Sequence, residues 1–194
     1  MTTTKFHLTA AAIGLLAAGS LSAGDVRSPT MLANTCAGCH GTHGPSAGDS
    51  LPTIGGMEKT YLATILLEYK SDERNSTIMG RIAKGYSENE LKAMASYFAG
   101  QKWVSAEVDT DSTLVAQGKA IHEDKCKTCH EDGGRSQEAE TPRVAGHWPD
   151  ATRTALEDCR AIGKRCAPKK MGKRVMDLTD EELAALAHYY ASEK

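Results

Sequence analysis

Two copies of one five-residue pattern, C-x-x-C-H, constrain this chain more than anything else in it: Cys36-Ala37-Gly38-Cys39-His40 and Cys126-Lys127-Thr128-Cys129-His130. At this chain's Cys and His frequencies, one match is a roughly 1% event and two are of order 1 in 10,000. A zinc site would use the two C-x-x-C pairs but would not demand a His directly after each. Covalent haem demands the whole pattern. Two thiols three positions apart on a helical turn each form a thioether with a vinyl group of one porphyrin. The next His then lies under the ring and donates an imidazole nitrogen to iron. The motifs predict two covalently bound haem c groups, attached at Cys36, Cys39, Cys126 and Cys129, with His40 and His130 as proximal ligands.

The N-terminus agrees with that chemistry, since thioether attachment takes place outside the cytoplasm. Residues 1–23 read as an export signal: Lys5 is the only charge before Asp25, an apolar run follows from Leu8 to Leu21, and small residues close it at Ser20-Leu21-Ser22-Ala23. No later apolar run is long enough for a membrane span. The expected product is an exported, soluble, periplasmic protein. With 23 basic and 25 acidic residues and a net charge of −2, it lacks the basicity of a general nucleic-acid binder. Two Trp, six Tyr and two Phe serve 194 residues, so small domains here need a cofactor to fill their cores.

The chain repeats itself. Cys36, Pro52, Ile54 and Gly56 match Cys126, Pro142, Val144 and Gly146, each 90 residues on. Met79-Gly80 and Ser87-Glu88-Asn89-Glu90-Leu91 match Met171-Gly172 and Thr179-Asp180-Glu181-Glu182-Leu183, each 92 on. Two copies make a duplicated domain rather than a solenoid. The domains are expected at 24–100 and 112–194, joined by a linker at 101–111. Each copy is predicted all-α. A first helix runs into the C-x-x-C-H motif, starting at Ser28-Pro29 or near 112, and a middle helix covers 58–70 or 149–161. A last helix follows each capping box, Ser87…Glu90 and Thr179…Glu182, and should pack across the first.

The register also selects two methionines, expected in loops. Met79 lies 39 residues after His40, and Met171 lies 41 after His130. A thioether sulfur on the far side of each ring would complete His/Met iron. Met176 breaks the register, and Met57 and Met94 suit a core. His43, His122, His147 and His188 lack the placement of a ligand and are expected to be solvated or structural. Pro52 and Pro142 each follow a proximal His by 12 residues. A carbonyl beside each is expected to accept the imidazole N–H and fix the ring.

These residues resemble class I cytochromes c. The runs Cys36-Ala37-Gly38-Cys39-His40-Gly41-Thr42-His43-Gly44 and Ser76 to Ser87 are similar to the dihaem cytochrome subunit of flavocytochrome c sulfide dehydrogenase. That resemblance implies two tandem cytochrome c domains about a pseudo-twofold axis, each wrapped around its haem, with His40/Met79 and His130/Met171 as axial pairs. It further implies an electron-transfer subunit without catalysis of its own. Its partner would be an FAD-containing sulfide dehydrogenase chain in a heterodimer, and its acceptor a soluble cytochrome c or another periplasmic protein. A freestanding dihaem carrier of the cytochrome c4 type shares most of the pattern. A dihaem thiosulfate dehydrogenase or peroxidase is the third reading; a peroxidase needs an open iron position, against which the two methionines argue.

Cys159 and Cys166 depart from the family pattern. A disulfide closing a short loop is the simplest reading in an oxidising compartment, with a soft-metal site or a thiolate haem ligand as alternatives. Seven basic residues, Arg160, Lys164, Arg165, Lys169, Lys170, Lys173 and Arg174, crowd the same stretch without an acidic neighbour. They are expected to form a positive rim around Met171.

Overall fold

Ser28 caps the first helix. Its hydroxyl accepts the Met31 N–H at 3.2 Å and Pro29 takes the first helical position, where no N–H is missed. The computed structural model describes residues 27–163, 166 and 168–194; the expected signal at 1–23 lies outside them. All regular structure among the described residues is helical.

The first copy holds α1 (Pro29–Asn34), α2 (Ala37–His40), α3 (Lys59–Lys70), α4 (Met79–Lys84) and α5 (Glu88–Ala99). The second holds α6 (Ser112–Ile121), a π-helical turn (His122–Cys126), α7 (Glu131–Gly134), α8 (Pro149–Ile162), α9 (Lys169–Val175) and α10 (Asp180–Ser192). Both capping boxes form: Ser87 with Glu90, and Thr179 with Glu182, each exchange side-chain and backbone bonds at the helix start.

Two expectations need correction. The first helix does not run unbroken into Cys36, because α1 ends at Asn34 and α2 restarts at Ala37. The methionines do not sit in loops. Met79 opens α4 and Met171 lies within α9, where the Ser76 hydroxyl and Pro168 start the respective turns.

The last helix of each copy packs across the first, α5 on α1 and α10 on α6. The second crossing depends on Gly118. A Cβ there would stand 2.1 Å from the Ala185 carbonyl oxygen, so only glycine lets these backbones approach. Leu156, Val175, Leu178, Leu183, Leu186, Tyr189 and Tyr190 form the second core. The first core is split between a cluster with Met57, Leu62 and Phe98 and another with Leu32, Leu91 and Met94.

The two copies face each other through equivalent segments. Trp148 Nε1 donates to the Ser46 carbonyl at 2.8 Å, and Ala151 N donates to the Asp49 carbonyl at 2.9 Å. In the reciprocal contact, Gln137 Nε2 donates to the Gly56 carbonyl at 2.9 Å and its Oε1 accepts the Glu58 N–H at 3.0 Å. By the repeat offset, 46–49 corresponds to 136–139 and 56–58 to 146–148. The same two patches are thus offered from each side, as a pseudo-twofold axis requires. The 101–111 segment is tied into this junction: Ala106 N donates to the Gly146 carbonyl at 2.8 Å, and Trp103 meets the His147 ring edge-on at 4.9 Å.

Candidate haem sites

Each C-x-x-C-H motif folds into the same short turn. The N–H of His40 donates to the Cys36 carbonyl at 2.9 Å, and that of His130 to the Cys126 carbonyl at 2.9 Å. This turn turns Cys39 and Cys129 outward, half-buries Cys36 and Cys126, and buries both histidines. The loop beyond is clamped identically. The Gly44 carbonyl accepts Ile54 and Gly55 N–H, and the Gly134 carbonyl accepts Val144 and Ala145 N–H. The clamp brings Pro52 or Pro142 back beside the imidazole.

His40 Nδ1 lies 2.9 Å from the Pro52 carbonyl oxygen and donates to it. That choice of tautomer leaves Nε2 with its lone pair outward. Burial pushes the imidazole pKa down, and the carbonyl partly offsets this. The ring is therefore held neutral, as metal ligation requires. His130 is also held neutral by burial, again with the Pro142 carbonyl pulling the other way. Its Nδ1, however, has no hydrogen bond of good geometry. The proline carbonyl serves the first site fully and the second only electrostatically.

Met79 and Met171 are half-buried, and Met171 packs against the second core; Met176 is 42% exposed at the end of α9. The other histidines are occupied elsewhere. His43 Nδ1 meets the Tyr97 hydroxyl at 2.7 Å, and His122 Nδ1 meets that of Tyr190 at 3.1 Å. His188 Nδ1 accepts the Asp111 N–H at 3.1 Å, and His147 is buried against Trp103. Cys159 and Cys166 are joined by a disulfide with Cα atoms 5.1 Å apart. The bridge closes the turn between α8 and α9, directly behind Gly172.

The basic rim is smaller than the sequence implies. Lys169, Lys170, Lys173 and Arg174 are exposed on α9. Arg160 instead turns away to the Leu178 carbonyl and the Asp180 carboxylate. Lys164 and Arg165 lie outside the described residues. The equivalent positions of α4 include Ile78 and Ile82, exposed at 49% and 38%. At these two positions the first copy is apolar where the second is cationic, while Arg81 keeps the charge of Lys173.

Sequence reasoning missed the junction residues Trp148, Gln137 and Trp103, and the His122–Tyr190 pair. For the last, a signal was present: the repeat sets them opposite Leu32 and Phe98.

The donor sets fit haem c. In each copy two unpaired thiols share one turn with a buried, neutral imidazole. Among the described residues, no three His, Cys, Asp or Glu side chains gather as a metal cluster would need. Residues 27–102 match the family model for cytochrome c, and residues 113–189 match that for subunit III of cbb3-type cytochrome c oxidase. A cytochrome c-553 of Helicobacter pylori is 35% identical over 44% of this chain and 88% of its own. The protein is a c-type cytochrome and belongs to the cytochrome c family. Its two domains carry two covalently bound haem c groups.

Over the whole length, it is similar to a cytochrome c4 of Pseudomonas aeruginosa, 29% identical across 87% of this chain and 88% of that protein. The crystal structure of cytochrome c4 from Pseudomonas stutzeri shares the fold over 89% of this chain and all of its own, with a TM-score of 0.77 at 24% identity. A cytochrome subunit of sulfide dehydrogenase from Chlorobaculum tepidum is 46% identical, but over only 35% of this chain and 61% of that protein.

Proposed function

We propose that this protein is a freestanding dihaem electron carrier of the cytochrome c4 type, working in the periplasm. The observation that carries the reading is the match of the whole two-domain chain, junction included, to cytochrome c4. It displaces the flavocytochrome subunit as the leading reading, since that resemblance is confined to about a third of the chain.

Bound at each motif, haem c supplies a one-electron iron couple. The chain's part is to hold it. Cys36, Cys39, Cys126 and Cys129 would anchor the porphyrins, His40 and His130 would present Nε2, and Met79 on α4 and Met171 on α9 would present sulfur. A neutral imidazole and a thioether leave the oxidised iron's charge uncompensated by the ligands, which favours a raised potential. The paired junction fixes the two attachment turns relative to each other, so the bound pair would exchange an electron without domain reorganisation. No residue need act as acid, base or nucleophile. Among the described residues, no helix is long and apolar enough to cross a membrane.

The second reading, a subunit bound to an FAD-containing sulfide dehydrogenase, is favoured by the 46% identity in the matched segment. Native mass spectrometry of the protein purified from its own periplasm separates the two. A two-haem species without flavin supports the carrier. A stoichiometric FAD-bearing chain, with haem reduction by sulfide only in its presence, would overturn it.

A further inference from the structure

The 101–111 segment passes between two equivalent turns, one from each domain. Gly56 and Gly146 hold the same place in the repeat, with φ of 80° and 79°. Each follows directly on the clamped loop that brings a proline back beside the proximal histidine. Each is also tied to its own last helix: Gly56 N donates to the Phe98 carbonyl at 2.8 Å, and Gly146 N to the Tyr190 carbonyl at 2.7 Å. Trp103 and Ser105 fill the space where side chains on these turns would stand. A Cβ on Gly56 would lie 2.6 Å from Trp103 N; one on Gly146 would lie 2.4 Å from Ser105 Oγ and 3.1 Å from Trp103 Nε1. Only glycine admits the linker at both places.

Trp103 then spans the junction. On the first domain's side it packs against the cluster of Met57, Leu62 and Phe98. On the second's, the Arg143 guanidinium sits over its ring at 4.7 Å and the His147 ring meets it edge-on at 4.9 Å. Both contacts are directional, so they resist sliding as well as separation. Its Nε1 donates to Ser105 Oγ at 3.1 Å, which satisfies the half-buried indole within the linker itself. The linker also supplies a bond that the repeat lacks. The Gly56 carbonyl accepts Gln137 Nε2 from the opposite domain at 2.9 Å. By the offset of 90, the residue that would do the same for Gly146 is Ala47, which has no amide to give. The Gly146 carbonyl instead accepts the Ala106 N–H at 2.8 Å.

We infer that Trp103 is a positioning residue for electron exchange between the two haems: wedged between the equivalent glycine turns, it locks the two proximal-histidine loops at one separation. Electron exchange falls steeply with distance. A pair of domains released from the wedge must wait for collective motion to bring the sites back together, on a microsecond-to-millisecond scale. The inference rests on the dihaem carrier reading above.

The test uses the full-length holoprotein, half-reduced. NMR exchange spectroscopy on the haem methyl resonances reads the rate, extrapolated to low protein concentration so that exchange between molecules drops out. Mass spectrometry counts haems in every sample; a parent with fewer than two would overturn the dihaem reading itself, and is thereby told apart from a failure of the wedge. Trp103→Ala should keep both haems and the parent's visible spectrum. Its exchange rate should fall by about tenfold or more and become dependent on solvent viscosity, which a loss of stability alone would not produce in the folded holoprotein. Trp103→Phe keeps an aromatic face for Arg143 and an edge for His147, and should restore most of the rate. Val104→Ala, on the same segment but 47% exposed, should match the parent. Exchange at the parent rate in Trp103→Ala, equal slowing in Trp103→Phe, or slowing that comes only with an altered spectrum would overturn the inference. Should Trp103→Ala fail to retain two haems, Arg143→Ala decides, because it opens the same contact from the second domain: slowed exchange supports the wedge and an unchanged rate overturns it.

Discussion

Adding one methyl group beside each proposed axial methionine should have unequal consequences in the two domains. A Cβ on Gly172 would meet the Gly163 carbonyl oxygen at 2.4 Å and the Cys166 Cβ at 3.2 Å. Ordinary contact needs about 3.4 Å, and both obstacles belong to the turn closed by the Cys159–Cys166 disulfide. Neither α9 nor that turn yields without moving backbone. Overpacking of this kind costs about 1–3 kcal/mol, while alanine's helix preference over glycine returns roughly 0.5–1 kcal/mol. Gly172→Ala should therefore lose about 1–2 kcal/mol, with Met171 displaced. At Gly80 the same methyl meets only the Ser76 hydroxyl at 3.2 Å and the Tyr69 carbonyl at 3.3 Å. A shift of a few tenths of an ångström relieves both, so Gly80→Ala should be within about 0.5 kcal/mol of the parent. The assay is thermal unfolding of the holoprotein, followed through the sulfur–iron charge-transfer band. Gly172→Ala should lose half of that band about 5–10 °C early, given a domain of this size. Gly80→Ala should keep it. Equal losses in both variants, or an unchanged midpoint in Gly172→Ala, would refute the packing argument.

Met79→His and Met171→His should each remove half of the sulfur–iron band and lower one potential, while Met176→Ala leaves the spectrum as it is. If Met176→Ala removes the band and Met171→Ala does not, the repeat register assigns the wrong sulfur. Burial at the domain junction pulls the His147 pKa from its ordinary 6.5 down to about 4. The native state keeps it neutral while the unfolded chain takes up a proton below pH 6.5. Stability is whole above that pH and falls by up to about 3 kcal/mol on the way to pH 4. His147→Phe should flatten the dependence of the unfolding midpoint over this window; an unaltered slope would count against the assignment. Reversing Lys169, Lys170 and Lys173 to Glu should slow electron delivery to an acidic acceptor at low salt and leave the intrinsic potentials nearly unchanged. An unchanged rate at low ionic strength would remove α9 from the docking face.

What the sequence by itself determined was set by short-range chemistry and by repetition. C-x-x-C-H names its cofactor because two thioethers and one imidazole fit a porphyrin at that spacing. The capping boxes mark α5 and α10 because Ser87 and Thr179 reach only three residues along the chain. Register picked out Met79 and Met171 as the proposed second ligands, 39 and 41 residues after their histidines in matching contexts. Tertiary structure decided whatever joins residues far apart. Ser46 and Trp148 meet across 102 positions and Gln137 and Gly56 across 81, and no local pattern foretells either bond. The fold also broke symmetries that the sequence leaves intact: Pro52 bonds its histidine while Pro142 only faces its own. The bond between His122 and Tyr190 belongs to this class. The two are ordinary residues 68 positions apart, and they meet only because α10 crosses α6 closely enough, over Gly118, to bury them together.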